Sequence, residues 1–220
     1  MAKVSIRDLD LKGRRVLMRV DYNVPLDEKD GAYVITDDTR IRETLPTLKL
    51  LREKGARIIL CSHLGRPKGK KNVKESLRPI ATRLAELSSA PVAFSEETVG
   101  AAAEAKAEAL KEGEILLLEN TRFHAEEEKN DPVFSAELGK LADVYINDAF
   151  GAAHRAHAST EGVARFVKEK GIGLLMEREL KFLGEAVAHP QKPFVVILGG
   201  AKVSDKIKVI DALLEKADTI

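Results

Sequence analysis

The feature that most limits the fold is an alternation kept along nearly the whole chain: a short apolar run, an amphipathic segment, then another apolar run. The runs are Arg15–Val20, Ala56–Ser62, Pro91–Phe94, Glu114–Leu118, Asp143–Asn147 and Phe194–Leu198, most of them rich in Val, Ile and Leu. Strands apolar on both faces suit a sheet that is covered on both sides. Between them the spacing is helical. Ile41, Leu45, Leu48 and Leu51 share one helical face, and Gly55 follows where a left-handed helix end wants glycine. Glu75–Leu87, Thr98–Leu110, Pro132–Leu141 and Leu174–Ala188 read as helices on similar grounds, although Ala101–Ala109 rests more on alanine propensity than on a stripe. The alternation predicts an α/β protein: a doubly wound parallel sheet with helices on both faces, a Rossmann-like three-layer architecture.

The last stretch reads as a new start. His189-Pro190-Gln191-Lys192-Pro193 is a proline-punctuated break, followed by the run Phe194–Leu198, Gly199-Gly200 and a helix over Ser204–Lys216. One strand and one helix cannot bury their own faces. This piece therefore needs either the preceding sheet or residues absent here, and the chain is expected to stop inside an unfinished domain.

Charge narrows the function. The 220 residues carry 36 Lys+Arg against 35 Asp+Glu, a formal net charge of +1. Broad nucleic-acid or anionic-membrane surfaces need a marked basic excess, so neither partner is expected and any bound anion must be gripped locally. The single cysteine, Cys61, cannot form an internal disulfide, which fits a reducing compartment. The start lacks the apolar core of a secretory signal, and no run approaches the ~18 apolar residues of a membrane span. A cytoplasmic location is the expectation.

In open parallel sheets ligands sit beyond the carboxyl ends of the strands. Here those positions carry Asp21-Tyr22-Asn23-Val24-Pro25, His63-Leu64-Gly65-Arg66-Pro67, Glu119-Asn120-Thr121-Arg122-Phe123, and Asp148 with His154-Arg155-Ala156-His157. Arg40 opens a helix after Asp37-Asp38-Thr39. Arg40, Arg66, Arg122 and Arg155 at one sheet edge would repel one another unless a small polyanion fills the space between them. The plain alternative is that they pair with Asp21, Asp148 or Glu126–Glu128. In the basic run from Leu64 to Lys74, the lysines read as a solvated loop and Arg66 as the ligand candidate. Gly199-Gly200-Ala201-Lys202-Val203-Ser204-Asp205-Lys206 sets two lysines on one face of a helix start, a place that favours phosphate, yet neither a G-x-x-x-x-G-K-[ST] loop nor a G-x-G-x-x-G occurs. Cys61 and His63 invite a nucleophile-base reading, against the commoner buried strand cysteine. His154 and His157 have no further ligand at suitable spacing, so no metal site is expected.

Taken together, Arg19-Val20-Asp21-Tyr22-Asn23-Val24-Pro25, Ser62-His63-Leu64-Gly65-Arg66-Pro67, Leu118-Glu119-Asn120-Thr121-Arg122-Phe123, Asn147-Asp148-Ala149-Phe150-Gly151 with His154-Arg155-Ala156-His157-Ala158-Ser159, and Gly199-Gly200-Ala201-Lys202-Val203 with Asp205-Lys206 resemble the signature segments of the phosphoglycerate kinase family. Tyr22 stands where that family more often has phenylalanine. The resemblance implies a monomeric glycolytic kinase that interconverts 3-phosphoglycerate plus ATP and 1,3-bisphosphoglycerate plus ADP, with two doubly wound domains closing about a hinge: here 1–172 as the first, 173–190 as the interdomain helix and hinge, and 191–220 as the first strand-helix unit of an incomplete, similar second domain. By motif match it implies Asp21, Asn23, Arg40, His63, Leu64, Gly65, Arg66, Arg122 and Arg155 as holders of the acid substrate. Lys202 and Lys206 would meet the phosphates of Mg-ATP or Mg-ADP, and with Arg40 would stabilise the migrating phosphoryl group. The rest of the adenine-nucleotide site would lie in the family's second domain, past residue 220, which leaves this chain the acid-substrate half and inactive alone. Two other classes remain open: a non-catalytic phosphometabolite-binding module, for which Lys202 and Lys206 would be superfluous, and a metal-independent sugar-phosphate isomerase, for which Asp21 would have to act as base.

Overall fold

The computed structural model of the chain describes residues 4–199 and 207–220. It divides into two compact units, Met1–Met176 and Glu177–Ile220.

The first unit is built on a six-stranded sheet of β1 (Arg15–Arg19), β4 (Arg57–Cys61), β5 (Val92–Ser95), β6 (Ile115–Leu118), β7 (Val144–Asn147) and β8 (Glu169–Ile172), in the spatial order β5-β6-β4-β1-β7-β8 with every pairing parallel. From β1 the chain passes to the adjacent β4, out to the edge strand β5, back to β6 between those two, and then across to β7 on the other side of β1. The direction reverses between β1 and β7, where a parallel sheet opens a crevice at its carboxyl edge. Register brings the strand ends level: Arg19 lies opposite Cys61 on one side and Asn147 on the other. The segments that follow those residues must therefore emerge along one edge.

Both faces are buried, which explains runs that are apolar throughout. Val16, Met18, Ile58, Leu60, Ile115, Leu117, Val144 and Ile146 form one core with Ile41, Leu48, Leu51, Ile80 and Leu84. The intervening residues Leu17, Ile59, Leu116, Leu118 and Tyr145 form the other, with Ala103, Ala107, Leu138, Leu141 and Val163. The period of two along each strand thus sends alternate residues into opposite cores.

The helix expected over Ile41–Leu51 is two, α1 (Thr39–Arg42) and α2 (Leu45–Glu53), because Pro46 in the first turn of α2 cannot donate back into a preceding helix. Pro79 has the same effect on the segment from Glu75, which forms a 3-10 turn (Val73–Glu75) before α3 (Arg78–Ser88). Gly55 after α2 is left-handed, with φ +68°. The alanine-rich α4 (Ala101–Ala109) buries Ala103 and Ala107, four apart on one face. A short helix α5 (Ala125–Glu128) forms in the acidic run, and α6 (Pro132–Lys140) is capped by Asp131, whose Oδ1 accepts the N–H groups of Val133 and Phe134 at 2.9 Å each.

Two elements were absent from the expectation. A hairpin of β2 (Leu26–Lys29) and β3 (Ala32–Ile35) turns at Asp30-Gly31, both left-handed, the pair most suited to a two-residue turn. Strand β8 reads Glu-Lys-Gly-Ile and is recruited by backbone pairing with β7 rather than by an apolar pattern.

In the second unit, Phe194–Leu198 is not a strand. It forms one isolated bridge, Val195 to Thr219, and lacks a ladder of partners among the described residues. The stretch expected as a continuous helix over Leu174–Ala188 is α7 (Leu174–Glu179), a π-helical turn (Leu180–Glu185) that contains Gly184, and α8 (Ala186–Ala188). The helix expected over Ser204–Lys216 is seen as α9 (Ile207–Leu214). Among the described residues no helix is long and apolar enough to cross a membrane.

Candidate functional site

The chain leaving β1 alternates between edge and core. Tyr22 is fully buried: its N–H donates to Ser62 Oγ at 2.8 Å, and its hydroxyl bonds Thr44 Oγ1 at 2.8 Å. With that anchor set, Asp21 and Asn23 on either side stay half-buried at the sheet edge. The Asp21 carboxylate ion-pairs with Nη1 of Arg40 and accepts the Asn23 N–H at 3.3 Å. Asn23 Oδ1 accepts the Gly65 N–H at 2.8 Å, which ties the β1 loop to the β4 loop. Gly65 is left-handed, φ +63°, and a Cβ there would stand 2.1 Å from Glu75 Oε1, the atom that accepts the Arg66 N–H at 2.7 Å.

Asn120, buried after β6, stitches the next loop in place. Its Oδ1 accepts the N–H groups of Leu64 (3.2 Å) and Arg122 (3.0 Å), and its Nδ2 donates to the carbonyls of Leu64 (2.7 Å) and Glu75 (2.9 Å). Arg122 thereby lies in the interior at 7% exposure. It donates from Nη1 to the Gly65 carbonyl (2.8 Å) and meets Glu128 with Nη2 (3.2 Å). Its buried Nε has no hydrogen-bond partner among the described residues. Burial lowers the guanidinium pKa, Glu128 opposes that, and the positive charges of Arg155 and Arg19 add to the lowering.

Beneath these loops runs a sealed polar chain. Arg19, at the end of β1, donates from Nε to Ser159 Oγ (2.9 Å), from Nη1 to the Val20 carbonyl, and from Nη2 to His63 Nδ1 (3.0 Å). Ser159 in turn donates its N–H (2.9 Å) and hydroxyl (2.5 Å) to the fully buried carboxylate of Glu127. His63 is pushed down to about 2 by burial first, then by Arg19, Arg122, Arg155 and His157. An imidazole among so many cations stays neutral.

Of the residues singled out from sequence, the structure links Asp21 with Arg40, Asn23 with Gly65, and Gly65 with Arg122. Arg155 is half-buried and close enough to depress both His63 and Arg122, while Arg66 is exposed after β4. Arg40 and Arg122 do find acids, Asp21 and Glu128, as the plain alternative anticipated. Positive charge remains at this edge in the half-buried Arg155, and the buried Nε of Arg122 still has no acceptor among the described residues. Lys202 and Lys206 lie outside the described residues. Cys61 does not act as a nucleophile: it is sealed at the end of β4, and burial pushes its thiol up to about 12.

A cavity of about 1270 Å³ lies elsewhere, between the β2–β3 hairpin and α3. Its cations are already paired with acids, Arg83 with Asp38 at 2.8 Å, Lys71 with Glu97 at 2.8 Å, and Arg78 with Glu96, and acids outnumber cations in its lining. The strand-end crevice, with its surplus of cations, is the better anion site.

Arg19, Asn120, Glu127 and Ser159 carry the site yet were given no role from sequence. Arg19 left one signal, an arginine inside an otherwise apolar strand run.

Comparison with known proteins places the chain in a family. The family model described as phosphoglycerate kinase matches residues 6–220. The phosphoglycerate kinase of Acidobacterium capsulatum is 60% identical over 226 aligned residues, covering 100% of this chain and 55% of the relative; that of Koribacter versatilis is 58% identical with the same coverage. Among solved structures, phosphoglycerate kinase from Pyrococcus horikoshii superposes with a TM-score of 0.85 at 36% identity, covering 98% of this chain and 54% of that one. The enzyme from Coxiella burnetii gives 0.82 at 38% identity, covering 99% and 53%. This chain thus spans about half the length of the relatives it matches, and with fold, strand-end motifs and sequence in agreement it belongs to the phosphoglycerate kinase family.

Proposed function

We propose that these residues form the acid-substrate half of a phosphoglycerate kinase, which transfers a phosphoryl group reversibly between ATP and the carboxylate of 3-phosphoglycerate in glycolysis, in the cytoplasm. The observation that carries the reading is the partnerless, buried Nε of Arg122 at an edge where the positive charges of Arg122 and Arg155 both act on His63. A small polyanion supplies the acceptors that this edge lacks.

In the proposed reaction a carboxylate oxygen of 3-phosphoglycerate attacks the γ-phosphorus of ATP. A carboxyl–phosphate bond forms, the bond to the β,γ-bridging oxygen breaks, and its electron pair leaves with ADP. A carboxylate is already ionised at neutral pH, so the step needs positioning and charge neutralisation rather than a general base. Asp21 and Asn23 would orient the hydroxyl. Arg66, Arg122 and Arg155 would anchor the substrate's own phosphate, with His63 and the Leu64-Gly65 backbone closing the pocket. Arg40, released from Asp21, would face the migrating group together with Lys202 and Lys206. Mg-ATP or Mg-ADP is the second substrate, and its remaining contacts belong to the part of the family's length that this chain does not span. The 220 residues would bind phosphoglycerate as a monomer and would not turn over, catalysis requiring the hinge to bring a nucleotide half to them.

Isothermal titration of the chain with 3-phosphoglycerate tests the reading. Saturable binding, abolished by Arg122→Ala and accompanied by no ADP release in a coupled assay, is expected. An absence of binding at millimolar ligand would sink it. Isomerised product formed without nucleotide would favour an isomerase instead.

A further inference from the structure

The mechanism proposed above gives Arg19 no contact with substrate. It is among the most deeply buried charges in the chain, at 1% exposure, and it lies on β1, the central strand of the sheet's switch point. A buried guanidinium is costly, and its neighbours show what it holds.

We propose that Arg19 is a positioning residue: its guanidinium, donating from Nη2 to Nδ1 of His63, holds the imidazole in the tautomer that carries its proton on Nε2. Arginine has five N–H donors and no acceptor, and it does not deprotonate in a protein. At 3.0 Å from Nη2, His63 Nδ1 can only be an acceptor, so a neutral ring keeps its proton on the other nitrogen. Neutrality is enforced by burial and by the cations around the ring, Arg19 from β1, Arg122 from the turn after β6 and Arg155 from the loop after β7, where the titratable His157 would also oppose a charge on the ring.

The guanidinium is itself aimed. Nε is held by Ser159 Oγ and Nη1 by the Val20 carbonyl, which leaves Nη2 for the ring. Ser159 Oγ accepts from Arg19 while donating to Glu127, so one hydroxyl passes the buried negative charge to the buried positive one. Glu127 offsets the Arg19 charge without touching it, and Arg19 remains free to donate to the ring. His63 then offers a neutral Nε2–H donor where an extra imidazolium would have repelled Arg122 and Arg155.

The functional meaning rests on the reading that His63 lies in the acid-substrate site; the tautomer itself does not. Long-range ¹H–¹⁵N spectra of the ¹⁵N-histidine-labelled chain read the protonated nitrogen of each ring directly, with His63→Gln assigning the resonance. We expect a single Nε2–H tautomer at pH 7 that does not titrate between pH 8 and 5. In Arg19→Met the ring should exchange between tautomers, and its titration midpoint should rise by about 1–3 pH units; Arg19→Lys, which keeps a donor, should restore the Nε2–H form in part. An Nδ1–H tautomer, an imidazolium at pH 7, or an unchanged tautomer in folded Arg19→Met would overturn the proposal. Should Arg19→Met not fold, the wild-type spectrum still decides. Adding 3-phosphoglycerate separates the two readings: an unmoved Nε2 resonance with the tautomer intact counts against the substrate site and leaves the role of Arg19 standing.

Discussion

Glu127 and Arg19 are joined through the side chain of Ser159, whose hydroxyl donates to the carboxylate at 2.5 Å and accepts from the guanidinium Nε at 2.9 Å. Both charged groups are sealed from solvent, at 0% and 1% exposure. They come from α5 and β1, and Ser159 from the π-helical turn Ala158–Gly162 that follows the β7 loop. One polar chain therefore spans three elements beneath the arginine edge.

Glu127→Gln keeps the shape and removes the charge, which leaves Arg19 uncompensated in the interior. Removing one partner of a buried ion pair typically costs about 3–5 kcal/mol. Here a hydroxyl stands between the charges, so a loss near the lower end, about 3 kcal/mol, is expected by urea denaturation. A loss under about 1 kcal/mol would show that water rather than Glu127 balances Arg19.

Gly65→Ala places a Cβ on a backbone at φ +63° and 2.1 Å from Glu75 Oε1. The left-handed backbone costs an L-residue about 1–2 kcal/mol. Moving Glu75 aside also gives up its bond to the Arg66 N–H. A stability loss of about 2 kcal/mol is expected, together with weaker anion binding because the Gly65 carbonyl positions Arg122. Unchanged thermal unfolding and unchanged affinity would contradict both parts.

His63 makes stability depend on mild acid. Its folded pKa of about 2 lies below the ordinary histidine value of about 6.5. Between those values the unfolded chain binds the proton and the folded chain does not, so stability is full above pH 6.5 and falls as pH drops. The slope from this one ring reaches about 1.4 kcal/mol per pH unit. His124 and His157 are also lowered by burial and add to it, whereas the ion-paired Asp143 and Glu169 act only below about pH 4. Denaturation midpoints between pH 6.5 and 4 should flatten in His63→Gln; an identical slope in that variant would remove His63 as the cause.

Arg122→Lys tests whether the fork matters or only the charge. Lysine keeps the positive charge but cannot hold the Gly65 carbonyl, meet Glu128 and present a further donor together. Affinity for 3-phosphoglycerate should fall about tenfold, the equivalent of about 1.4 kcal/mol. Retained affinity would mean that a point charge suffices.

The parallel sheet, its two covered faces and the strand-end positions of Asp21, Asn23, His63, Arg66, Arg122 and Arg155 were all legible in the chain, because a period of two and a period of 3.6 are local consequences of backbone geometry. So was the hairpin at Asp30-Gly31, whose turn signal stood in the sequence and went unused. What only the tertiary structure decided is who meets whom. Strand β8 has no apolar pattern and exists because β7 offers it a partner. The stretch Phe194–Leu198 has the pattern and is no strand: its one bridge, Val195 to Thr219, is not extended into a ladder among the described residues. The relay from Glu127 through Ser159 and Arg19 to His63 links residues 32, 140 and 44 positions apart in sequence. No local period encodes such separations; the register of β1 against β4 and β7 brings these groups within hydrogen-bonding distance, and burial then makes each of them depend on the others.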